Sequence, residues 1–146
     1  MSKILSLTLS IVLLITACNK RQAVIKHCVP IGYAGSLFTL YSPDGKFPFV
    51  SGDTLYIQYD SNGVSHLNNQ TFEGRYKDTD SVKDVYMYVD RQNDLAEIKN
   101  HYAYGRGLCH LNTFYSVHIV SNKDLFLPPE QFKPHIDSLI DVLCEH

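Results

Sequence analysis

Seven histidines and four cysteines are the residues of this chain best equipped for chemistry. His101, Cys109, His110 and His118 fall within one stretch, and imidazole with thiolate suits zinc. The spacing argues against a centre, because no Cys-x-x-Cys or His-x-x-x-His pair brings two ligands onto one turn or one strand face. Strand alternation groups His118 with Phe114 and Ser116, opposite an apolar face, which predicts an exposed histidine. Asp78-Thr79-Asp80 with Asp84 is acidic enough for calcium but lacks the Asp-x-Asp-x-Asp-Gly run that shapes a binding loop. Neither metal nor cofactor is expected. Cys28 follows His27 and Cys109 precedes His110, yet sequence neighbours on a strand point to opposite faces and make poor nucleophile–base pairs. Gly-x-Ser-x-Gly, Ser-x-x-Lys and His-Glu-x-x-His are all missing, so no catalytic residue is assigned.

Recognition is a better fit than catalysis. Gly105-Arg106-Gly107 reads as a flexible turn between strands, without the extra glycines and following helix of a phosphate-cradling loop. Tyr102, Tyr104 and Arg106 in that loop are residue types favoured at binding hot spots, and they are the candidate recognition surface. The ten tyrosines include Tyr56, Tyr86 and Tyr88, which alternation places on outward strand faces.

The elements that must position these residues are mostly strands. Ser36 to Tyr41 is stopped by Ser42-Pro43-Asp44-Gly45, a turn sequence. Thr54 to Tyr59 alternates, with Leu55, Ile57 and Tyr59 on one face. Asp60-Ser61-Asn62-Gly63 follows, and Asn-Gly predicts a hairpin with a partner strand inside Val64–Phe72. In Val82 to Asp90, Val85, Met87 and Val89 oppose Tyr86 and Tyr88; Asp94 to Lys99 fits either a helical turn or a short strand. Phe114 to Val120 is a strand with Tyr115, Val117 and Ile119 inward. Pro129 to Phe132 is an isolated turn. From Pro134, residues Ile136, Leu139, Ile140, Leu143 and Cys144 recur at helical spacing, while Asp137, Asp141 and Glu145 take the wet side. The expected class is α+β, an antiparallel sheet with a C-terminal amphipathic helix; a β-sandwich with a helical tail is the alternative. The run from Phe114 to Leu143, with Phe38-Thr39-Leu40-Tyr41-Ser42-Pro43, resembles the last strand and helix and the early strand of the Mog1/PsbP-like group, which implies a sheet-and-helix fold and no catalytic motif.

The first residues are of another kind. Lys3 precedes an apolar run from Ile4 to Ala17, too short for a relaxed membrane-spanning helix but suited to a signal peptide. Ile15-Thr16-Ala17-Cys18 resembles the lipobox of bacterial lipoproteins. That resemblance implies cleavage before Cys18 and lipidation of its thiol. Two or three acyl chains, at about 0.8 kcal/mol per buried methylene, make a stable anchor. Asn19 stands where aspartate resembles an inner-membrane retention signal, so outer-membrane attachment is expected; Lys20-Arg21 is not the acidic cluster that resembles a surface-export signal, so the domain is expected to face the periplasm. The implied organisation is a signal peptide over 1–17, a lipidated tether over 18–27 and one domain over 28–146, within the usual size of a single domain.

Without Lys3 the chain carries 12 basic and 15 acidic residues, a formal charge of −3, which disfavours a nucleic-acid partner. Lipidation of Cys18 leaves Cys28, Cys109 and Cys144 in an oxidising compartment, hence one disulfide and one free thiol. Joining Cys109 to Cys144 would contribute roughly 3–4 kcal/mol by loop closure; pairing Cys28 with either stays open. The functional expectation is a cell-envelope lipoprotein that binds an envelope protein as a non-enzymatic accessory. The alternatives are a periplasmic inhibitor or immunity-type protein and a small thiol- or metal-dependent envelope enzyme.

Overall fold

The computed structural model describes residues 22–70, 81–91, 93–110, 112–121 and 128–144. The signal peptide, Cys18 and Asp78-Thr79-Asp80 lie outside them.

Among the described residues nine strands build two sheets: β1 (Gln22–Pro30), β2 (Gly35–Ser42), β3 (Phe49–Ser51), β4 (Thr54–Gln58), β5 (Val64–Asn68), β6 (Ser81–Asp90), β7 (Asn93–Glu97), β8 (Asn100–His110) and β9 (Thr113–Ser121). The first sheet has the order β3-β4-β1-β6-β7 and the second β5-β2-β9-β8. A 3-10 turn at Pro129–Gln131 leads into the helix α1 (Lys133–Cys144). Purely antiparallel pairing was the expectation, and the sheets are mixed instead. The first strand in sequence sits at the centre of its sheet, parallel to both β4 and β6, and β2 runs parallel to β5. The architecture is a two-sheet β-sandwich with a C-terminal helix on one outer face.

The layers follow from strand alternation. In β2, Leu37 and Tyr41 turn toward the first sheet while Phe38 and Leu40 turn toward α1, so all eight residues are buried. One core lies between the sheets, around Val29, Leu37, Leu55, Ile57, Tyr86 and Val120. The other lies beneath the helix, where Ile136, Leu139, Ile140 and Leu143 cover Phe38, Leu40, Val117 and Ile119. The helical face read from spacing is therefore the buried one.

Two expectations change, and one that was left open is decided. Residues 22–27, assigned to the tether, form the first two-thirds of β1, because Ala23, Ile25, His27 and Val29 share one inward face of a strand paired on both sides. Asn62-Gly63 does not close a hairpin: β4 belongs to the first sheet and β5 to the second, so the turn carries the chain from one layer to the other. The Asp60 carboxylate accepts from the Asn62 and Val64 amides (2.9 and 2.8 Å), and Gly63 takes φ of +75°. Finally, Asp94–Glu97 lies in strand β7, a hairpin partner of β6 turned through Arg91 at φ +56°.

Candidate functional site

The densest polar constellation lies between the sheets, built around a residue first placed in the tether. His27 points inward from β1 and is 2 % exposed. Its Nδ1 lies 2.8 Å from the Tyr59 hydroxyl, and its Nε2 lies 3.1 Å from Asp84 Oδ1. The Tyr59 hydroxyl also meets Thr39 Oγ1 at 2.9 Å. Tyr59 is held there because its amide bonds the Cys28 carbonyl, continuing the β1–β4 pairing past the strand end. A relay thus runs from the buried Thr39 hydroxyl through Tyr59 and His27 to Asp84, whose side chain is 41 % exposed.

Aromatic rings pack around this relay. Tyr86 stacks on His27 at 4.3 Å between centroids, and His101 stacks on Tyr86 at 4.1 Å. His118 reaches in from β9, its ring 4.9 Å from His27 and its Nδ1 2.5 Å from the Tyr86 hydroxyl. Three imidazoles from three strands therefore converge near one carboxylate.

Burial dominates the electrostatics. It pushes His118 down to about 4, with His27 acting in the same direction and Asp84 opposing. It lowers His101 as well. Burial works against the Asp84 carboxylate, but the hydrogen bond from His27 and the nearby imidazoles outweigh it and hold that group below its ordinary value. Burial raises Tyr59, only partly opposed by its hydrogen bond with Thr39, and raises Tyr86, with the neighbouring Asp84 charge acting in the same direction. The resting arrangement is an ionised Asp84 with a neutral His118, whose Nδ1 shares a hydrogen bond with the Tyr86 hydroxyl.

Chemically the cluster can hold and pass protons. Its two deep hydroxyls, Thr39 and Tyr59, are buried, so neither presents a nucleophile to solvent. Both His27 nitrogens are engaged, and among the described residues no group of three or more His, Cys, Asp or Glu side chains is arranged to hold a metal.

Of the histidines singled out in the sequence, His101 and His118 do meet, but with His27 and Asp84 rather than with Cys109 and His110. The expected exposed position of His118 is corrected, because β9 is covered on both faces: α1 lies over Val117 and Ile119, and the first sheet over His118 and Val120. Tyr86, expected outward, is 2 % exposed, and Val85, Met87 and Val89 take the opposite, partly exposed face. Cys109 and Cys144 are bonded, with Cα atoms 4.8 Å apart, and Cys28 is free and buried. Tyr102, Tyr104 and Arg106 lie on the long strand β8, not in a loop. Tyr102 and Tyr104 are half-buried against the helix-side core, and Arg106 is exposed.

No protein-family model matches the chain, and no curated protein matches its sequence. Among solved structures, the fold is similar to a crystal structure of a "Putative Lipoprotein from Bacillus anthracis", with a TM-score of 0.56 at 14 % identity, covering 84 % of this chain and 96 % of that one.

Proposed function

We propose that this chain is a cell-envelope lipoprotein, cleaved before Cys18 and acylated there, whose domain is a non-enzymatic module for an envelope protein partner. The anchor half rests on the apolar run ending in Ile15-Thr16-Ala17-Cys18. The fold it shares with a Bacillus anthracis protein named as a lipoprotein agrees with it. Outer-membrane attachment rests on Asn19 in place of an aspartate, and a periplasm-facing domain on Lys20-Arg21 in place of an acidic cluster.

The observation that carries the binding half is β8. It is an eleven-residue strand at the end of the second sheet, paired on one side with β9 and with no described strand on the other. Such an edge accepts an added strand from another chain through main-chain hydrogen bonds, with side chains providing specificity. Arg106 and Leu108 stand exposed along it, and Leu108 is 81 % exposed, the most exposed of the large apolar residues described. Catalysis is disfavoured by the closure of the Thr39–Tyr59–His27 relay and by the free thiol, Cys28, being raised by burial away from nucleophilic readiness.

Two measurements test the reading. Palmitate labelling should be lost in Cys18→Ala, and persistence of label would remove the anchor. Crosslinking of the acylated protein in its native envelope should yield one dominant partner that disappears in Arg106→Glu and Leu108→Glu. These exposed positions leave the fold intact, so a partner retained by both variants would move the interface off β8.

A further inference from the structure

The first sheet leaves its outer face without a covering layer among the described residues, and its two edges differ. On the β3 side, Phe47 and Phe49 are 69 % and 66 % exposed. Phe49 packs on Tyr56 at 5.3 Å between centroids, and Lys26 stands over the Tyr56 ring at 5.4 Å with its ammonium ion-paired to Asp94. On the β7 side, Asp90, Arg91, Asp94 and Glu97 are charged. Exposed aromatic rings suit the headgroup–acyl boundary of a bilayer.

The position of the strand start turns this contrast into a docking geometry. Only three residues separate Cys18 from Gln22, the first residue of β1. Whatever their conformation, they span at most about 14 Å. Phe49 pairs with Tyr56, which pairs with Lys26, four residues along β1 from Gln22. Phe49 is thus about 13 Å along the strands and about 10 Å across them from the anchored end. A lipid on Cys18 therefore brings this edge to the membrane surface, and the domain has no tether long enough to swing clear.

We infer that Phe47, Phe49 and Tyr56 form a second membrane contact, seating the domain with its β3 edge in the lipid headgroups that surround the Cys18 anchor. This rests on the anchor reading above. The chain contains no tryptophan, so a single introduced indole reports its own surroundings. The acylated full-length mature protein is reconstituted in vesicles of phosphatidylethanolamine and phosphatidylglycerol containing acyl-brominated lipid. Phe49→Trp should emit at shorter wavelength than in detergent-free Cys18→Ala protein and lose intensity to the brominated chains. Ile31→Trp is the reference: this residue is 67 % exposed at the opposite end of β1, about 30 Å from Gln22. Its emission should ignore the brominated lipid.

Equal, unquenched emission from both variants, in protein whose mass includes the acyl chains, overturns the second contact while leaving the anchor standing. Shielding of Phe49→Trp from a water-soluble quencher without quenching by lipid also overturns it, since a second copy would then be the cover. Protein lacking the acyl mass overturns anchor and contact together.

Discussion

At the scale of single residues, the inter-sheet cluster makes stability depend on pH in a definite direction. His118 sits at about 4 in the folded protein because burial disfavours its charge, whereas an unfolded histidine titrates near 6.5. Between those values the unfolded chain takes up a proton that the folded chain refuses. Stability contributed by neutral His118 is therefore complete above about 6.5 and is lost as pH falls toward 4, on the order of 3 kcal/mol over that window. His101 is shifted in the same direction and adds to the slope. Asp84 is also depressed, so its contribution is lost only at lower pH, as its folded value is crossed. Denaturant melts at pH 7.5, 5.5 and 4.5 should show a steep fall for the natural protein and a shallower one for His118→Gln, whose amide can still hydrogen-bond Tyr86. Identical slopes would mean that His118 is solvated rather than held between the sheets.

At the scale of elements, Gly63 carries the turn that moves the chain between sheets. Two glycines at positive φ separate backbone strain from packing. Gly52 (φ +57°) has open space where a Cβ would stand, whereas at Gly63 (φ +75°) a Cβ would collide with the Tyr33 hydroxyl and the Ser36 carbonyl. Gly52→Ala should cost about 1 kcal/mol, from left-handed backbone alone. Gly63→Ala should cost that and about 1–3 kcal/mol more, from overpacking in a turn pinned by Asp60. Equal losses in thermal melts would mean that Tyr33 moves aside freely. Asn-Gly announced a tight turn, and a tight turn is there; what it could not announce is whether the next strand returns to the same sheet, since that depends on partners far along the chain. The same limit hid β1. Its inward set Ala23, Ile25, His27 and Val29 alternates plainly, but its parallel neighbours begin at Thr54 and Ser81, and nothing local distinguishes a central strand from a leader. In β6 both faces carry large residues, so the alternation is legible in the sequence while the choice of inner face is not, and Tyr86 is expected outward. By contrast α1 was legible almost residue by residue, because one apolar stripe on a helix has only one way to be covered.

At the scale of the whole molecule, the three layers are held in two different ways, and cysteine chemistry distinguishes them. The sheets close on each other through the hydrophobic and aromatic layer around Tyr86, whereas α1, a helix too short to persist alone, is laid on the second sheet and bonded to it through Cys109 and Cys144. Closing that 35-residue separation should contribute about 4 kcal/mol, so Cys144→Ser should lower the denaturation midpoint and speed amide exchange in α1 before it affects β1 or β2. Cys28 lies apart from this bond. Burial raises its thiol, only partly opposed by Lys26. In the acylated mature protein an aromatic disulfide reagent should therefore find no rapid thiol in the native state, one after unfolding, and three after unfolding with reduction. The native count also bears on function. A thiol-dependent enzyme needs an accessible thiolate at neutral pH, so fast labelling of Cys28 in the folded protein would revive that chemistry at the expense of the binding module. Silence until unfolding would leave Cys28 as a buried filler of the first sheet, and the exposed strand edges as the places where this molecule meets others.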